Sequence, residues 1–179
     1  MIALRSCSIG SILILGLSAH PSQAQESKSS PLVARHRIQL NLAGAEMIVA
    51  EAKKKAEEMK LKVNIAVVDD GGHLLMFARM DGARPASGYT ALTKATTAAT
   101  FRQETGPFPP KGEPDVLLNL SLQNAAAASG GKVTTLKGGV PIIVDSQIIG
   151  AVGVGGGTGE QDAEVAKAGI TKLLEALKK

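Results

Sequence analysis

The side chains able to do chemistry are few, and their spacing excludes more than it admits. His36 and His73 are the histidines beyond an apolar N-terminal stretch, and they lie far apart in the chain. No HExxH pair, carboxylate cluster or GxSxG elbow accompanies them, so metal-assisted hydrolysis and serine-triad chemistry have no seat. His73 stands at a strand start, directly after the Gly71-Gly72 turn. An imidazole there is a polar surface group, an iron ligand or an acid/base near neutral pH. Arg79, Asp81 and Arg84 ring a turn, either as a local ion pair or as a carboxylate site. Lys94 stands out because the predicted helix around it is otherwise almost uncharged, and it is either solvated or functional.

The element positioning the C-terminal part of any site is the run VTTLKGGVPIIVDSQIIGAVGVGGGTGEQD, Val133 to Asp162. It predicts a strand over 133–137, a diglycine turn, and a hairpin of 141–144 with 148–154 around Asp145-Ser146-Gln147. Pro141 has no N–H, so its strand starts there or lies at a sheet edge. Gly155–Gly159 then empties into a helix at which Thr158 and Gln161 have capping-box spacing. Bare N–H groups at such a place form either an anion seat or simply a tight turn. A dinucleotide site is excluded, because Thr158 stands where GxGxxG needs glycine and the preceding strands are antiparallel; no P-loop occurs.

Composition narrows the classes further. The chain of 179 residues is long enough for one domain with a real core. Its start reads as an export signal: Arg5, an apolar run over 9–19, and Ser22-Gln23-Ala24 as a cleavage site after residue 24. The expected organisation is a signal peptide at 1–24, a flexible leader at 25–37 and a domain at 38–179, placed in the periplasm or outside the cell, with no membrane anchor after cleavage. Cys7 is the single cysteine and falls within the signal, so thiolate catalysis, thiolate zinc and CxxCH haem attachment are excluded from the mature chain. Losing Arg5 lowers the formal charge from +4 to +3, and with three phenylalanines, one tyrosine and no tryptophan there is no stacking surface for nucleic acid.

The remaining elements follow from periodicity. Asn41 caps a helix whose Leu42, Ala45, Val49, Ala52, Ala56 and Met59 share a face. Val63–Asp69 is a strand apolar on both faces, hence central, and His73–Met80 is its hairpin partner with His73, Leu75, Phe77 and Arg79 on one side. Ser87 caps a helix over 88–103 rich in alanine and threonine, a low-relief surface suited to a sheet, another subunit or a flat ligand. Asp115 caps a helix to Ala128, and 162–179 is amphipathic. The order predicts an α+β domain, with a five-stranded antiparallel sheet flanked by helices.

The segments IAVVDDGGHLLMFARMDGARPAS, KATTAATF and LKGGVPIIVD…IIGAVGVGGGTGEQDAEVAKAG, in this order, resemble the GlcG/HbpS-type haem-binding family, itself similar to the C-terminal domain of PduO-type cobalamin adenosyltransferases. The resemblance covers residues 38–177 and implies a profilin-like fold, homo-oligomers and non-covalent haem, in some members with haem breakdown or haem and iron sensing. It implies Thr97, in the KAxTAAxF pattern, as the haem-iron ligand, with His73 as runner-up. Lys94, Arg79 or Arg84 then pair with the haem propionates, and Phe77, Met76 and Phe101 line the groove. A catalytic role is not expected beyond weak haem degradation. The alternative is an accessory protein or enzyme for small hydroxy acids or diols, holding a carboxylate with Arg79, Arg84 and the Gly155–Gly159 loop.

Overall fold

Asn41 opens the first helix, α1 (Leu42–Glu58), by accepting a hydrogen bond from the Gly44 N–H at 2.8 Å. The computed structural model describes Leu32 and residues 37–178; the expected signal peptide and most of the leader lie outside them. Beyond α1 come β1 (Asn64–Asp69), β2 (Leu74–Arg79), α2 (Ala86–Phe101), α3 (Val116–Ala128), β3 (Gly139–Val144), β4 (Gln147–Gly155) and α4 (Gly159–Ala176). Among the described residues no helix is long and apolar enough to cross a membrane.

The sheet is antiparallel with strand order β2-β1-β4-β3. It has four strands among the described residues, not the five expected. Residues 133–137 run beside α2 instead, where the Thr134 N–H donates to Thr97 Oγ1 at 3.0 Å. Gly131 and Gly138, at φ +78° and +120°, bend the chain at either side of this stretch. A helix side chain has thus taken the place of a neighbouring strand. Pro141 does sit on an edge strand, and Asp145 and Ser146 close the β3–β4 hairpin at φ 46° and 62°, the positive pair that a type I′ turn demands.

Each face of the sheet is covered. On one side Ala45, Ile48, Ala52, Val165, Ala166 and Ile170 of α1 and α4 pack on Ile65, Val67, Ile142, Val152 and Val154. On the other, Ala91, Ala95, Ala98 and Ala99 of α2 meet Ala66, Val68 and Ala151. The small residues of α2 are therefore spent on the sheet. The approach is backbone-close: a Cβ on Gly153 would stand 2.1 Å from the Ala91 carbonyl oxygen. No residue but glycine fits there.

Three local readings change. α2 begins at Ala86 rather than after Ser87, because the Ser87 hydroxyl accepts from Arg84 Nε at 3.0 Å and caps nothing. α4 begins at Gly159, and its Thr158–Gln161 capping box is complete. In β2 the pairing slips between Val67 and Val68, so that Met76 opposes Val67 while Leu74 opposes Val68. The extra residue reverses the alternation: Leu74 joins Phe77 and Arg79 on the α2 side, and Leu75 joins Met76 and Ala78 against the core. Finally, α3 has no buried residue, and Val116, Leu117 and Leu120 are exposed.

Candidate functional site

The bulge decides what the space between β2 and α2 is made of. A cavity of about 610 Å³ is lined there by Gly71, Gly72, His73, Leu74, Tyr89 and Leu92, with Thr93, Thr96, Thr100 and residues 129–133 completing it. A second cavity of about 400 Å³ shares Leu74, Tyr89 and Leu92 with it and adds Asn64, Phe77, Arg79, Pro85 and Gly88. Together they form one apolar groove with histidine and Lys132 at one end and Arg79 at the other.

The β1–β2 turn builds the histidine end. Asp69 Oδ1 accepts the Gly71 and His73 N–H groups at 2.9 and 2.8 Å, fixing the loop. Both carboxylate oxygens also lie 3.2 Å from His73 Nδ1. Partial burial alone would push the Asp69 carboxyl up, but the hydrogen bonds from the His73 N–H and ring and from Gly71 together outweigh it. Its pKa lies below the ordinary carboxylate value. With Nδ1 held by a carboxylate, Nε2 of a side chain that is 82% exposed is left to meet a ligand. Asn64 closes the groove floor. Its amide nitrogen donates to the Arg84 carbonyl at 3.0 Å and lies 3.5 Å from that of Gly155, while Oδ1 has no partner among the described residues.

A separate, polar cavity of about 680 Å³ lies where α2, the Gly156–Gly157 turn and residues 135–137 meet. Arg84, Ser87, Thr90, Lys94 and Asp162 line it. Lys94 and Asp162 are 4% and 1% exposed, and Lys94 Nζ donates to Asp162 Oδ2 at 2.7 Å and to the Val154 carbonyl at 2.9 Å. The glycine loop is not an open anion seat. Its Gly157 N–H is taken by Asp162 Oδ1 and its Thr158 N–H by Gln161 Oε1, each at 2.9 Å.

The six residues expected at the site are therefore dispersed. His73 and Arg79 lie at opposite ends of the groove; Arg84 and Lys94 share the polar cavity. Thr97 is buried and lines neither the groove nor the polar cavity: its hydroxyl donates to the Thr93 carbonyl at 2.7 Å and accepts from Thr134. Phe101 packs on Phe108 with ring centroids 5.7 Å apart, outside the groove, and Met76 faces the core. Arg79, Asp81 and Arg84 make no ion pair with one another among the described residues. Asp69, Asn64 and Asp162 were missed. An aspartate four residues before a histidine across a diglycine turn was a usable signal for the first. Nothing local marked the pairing of Lys94 with Asp162.

Helices on both faces of a short antiparallel sheet, with a groove beside the edge hairpin, define a profilin-like α+β domain. The chain belongs to the family described as haem degrading protein HbpS-like, which it matches over residues 40–171. It is 44% identical over 118 residues to the protein GlcG of Escherichia coli, covering 66% of this chain and 82% of that one. Among solved structures it is similar to protein ORFY of Klebsiella pneumoniae, at 31% identity and a TM-score of 0.67 over 81% of this chain and 98% of that one. A double mutant of HbpS from Streptomyces reticuli gives 27% identity and a TM-score of 0.63, over 84% and 97%.

Proposed function

We propose that this protein binds haem non-covalently in the groove between β2 and α2. The observation that carries the reading is His73: a histidine held at Nδ1 by Asp69, with Nε2 free, beside the apolar wall of Leu74, Tyr89 and Leu92. Haem brings its own four ring nitrogens, so the protein has to supply only an axial ligand and a flat apolar slot. This suits a chain in which, among the described residues, no three His, Cys, Asp or Glu groups converge to hold a bare ion. Arg79 and Lys132 are the cations placed to meet propionates. Membership of a haem-degrading family supports the same ligand. We favour His73 over Thr97 as the iron ligand, because the Thr97 hydroxyl is buried and engaged. Haem uptake then serves sensing or breakdown.

The test is a haemin titration of the protein. A Soret band distinct from free haemin is expected, moved by His73→Ala and left in place by Thr97→Ala. A shift on Thr97→Ala alone transfers the ligand to Thr97, and an unperturbed Soret band in the wild type sinks the haem reading.

Export and assembly belong to the same proposal. The N-terminal signal pattern supports a periplasmic or secreted protein, and the exposed apolar side of α3 supports a homo-oligomer. Native material is expected to begin after residue 24 and to scatter light as a multimer. A monomer, or a chain beginning at Met1, refutes the corresponding half.

A further inference from the structure

We propose that the polar cavity beside α2 is a second ligand site, separate from the groove, which binds a small oxyanion, a carboxylate or a phosphate, between Lys94 and Arg84. Hydrogen-bonding capacity around the cavity is unevenly used. Lys94 has three N–H donors and spends two, on Val154 and Asp162. Arg84 spends Nε on the Ser87 hydroxyl, and its two terminal nitrogens have no partner among the described residues. Ser87, itself buried, accepts that bond and keeps its own proton. Both oxygens of Asp162 are engaged, Oδ1 by the Gly157 N–H and Oδ2 by Lys94. Glu160 is paired with Lys137 at 3.2 Å. Thr90 gives its proton to the Ser87 carbonyl, leaving one hydroxyl oxygen as an acceptor. What remains unspent is chiefly donor and chiefly cationic. The complementary ligand is an anion with several acceptor oxygens.

The chain backbone packs tightly against the ion pair from the side away from the cavity lining. Gly138 sits at φ +120°, and a Cβ there would stand 2.9 Å from Lys94 Nζ and 2.6 Å from Asp162 Cβ. A buried ion pair is a costly arrangement for a purely structural tie, and this one borders a cavity. The glycine loop contributes shape here and not donors, since its N–H groups go to Asp162 and Gln161. At about 680 Å³ the cavity also has room for a small molecule that carries the oxyanion as its head group.

Amide NMR of the protein at fixed ionic strength, titrated separately with malonate and with inorganic phosphate against chloride, tests this. Saturable shifts confined to the cavity-lining amides, Leu136, Gly156 and Gly157 among them, are expected with at least one of the two, and which one binds identifies the head group. Arg84→Gln, on the surface and checked for folding by the same spectrum, is expected to weaken binding by about tenfold. Lys94→Met should abolish it if that variant folds. Absence of saturable shifts with both anions at tens of millimolar, or unchanged affinity in Arg84→Gln, overturns the proposal. Displacement of the anion by haemin overturns the separateness of the two sites. A haemin titration that fails on its own reports on the groove and leaves the anion result standing.

Discussion

One helix serves two sites of opposite character. Along α2, Tyr89, Leu92, Thr93, Thr96 and Thr100 line the groove, while Ser87, Thr90 and Lys94 line the polar cavity. Between them, Ala91, Ala95, Ala98 and Ala99 are buried on the sheet. Three sets at helical spacing on a single rod give an apolar wall, a charged wall and an anchor. The groove rests on exposed groups that the fold can lose; the cavity is built on a buried ion pair, with Arg84 and the third Lys94 N–H left for a ligand. A ligand site founded on buried charge is tied to the stability of the fold, and one founded on exposed groups is not.

The sharpest way to break the comparison is to cut the buried pair. Lys94→Met leaves Asp162 charged and unpaired, and about 3–5 kcal/mol of stability is expected to be lost in denaturant unfolding. The double variant Lys94→Met with Asp162→Leu is expected to recover most of it, because an apolar pair of similar volume pays no desolvation cost. If Lys94→Met unfolds at the wild-type midpoint, the pair contributes nothing to the fold and the cavity does not differ from the groove in this respect. The corresponding loss at the groove, His73→Ala, is expected to leave the midpoint almost unmoved, since His73 is exposed.

The second prediction sharpens the groove alone. Asp69→Asn keeps the size of the side chain while removing the charge that faces His73 Nδ1. Haemin affinity is expected to fall by about ten- to a hundredfold, the usual cost of losing a carboxylate behind a metal-binding histidine. Unchanged affinity would mean that Asp69 orders the turn but does not position the ring for iron.

What the sequence made legible was local. Asn41, Asp115 and Thr158 cap their helices as their types and spacing implied, because a cap is an interaction over three residues. The central placement of β1 was legible from its two apolar faces. The strand expected at 133–137 failed because its composition fits a pleated surface, but its hydrogen bonds go to a threonine more than thirty residues earlier. Thr97 itself shows the limit of a pattern. KAxTAAxF places a hydroxyl on α2, but whether it faces the groove depends on a rotation that Thr96 and Thr100 win. The β2 bulge had the same effect: a single residue moved Leu74 into the groove and Leu75 out of it. Lys94 and Asp162 meet across 68 positions, which no spacing rule reaches.

The smallest expected effect concerns acid. The Asp69 pKa is depressed in the folded protein, so its contribution is fully present above the ordinary carboxylate range and is lost as pH falls through the lowered value. The protonated acid is a weaker acceptor for the Gly71 and His73 N–H groups, and it no longer attracts the histidine ring. As pH falls through that lowered value, a smaller protection factor (exchange taken relative to the intrinsic rate at each pH) is expected at Gly71 and His73. The amides of Gly157 and Thr158 in the cavity loop serve as the internal reference. Asp69→Asn should show the loosened turn already at neutral pH and no further change on acidification. Equal acceleration in both loops would assign the effect to global acid unfolding, and would remove Asp69 as the residue that gives the groove its separate pH response.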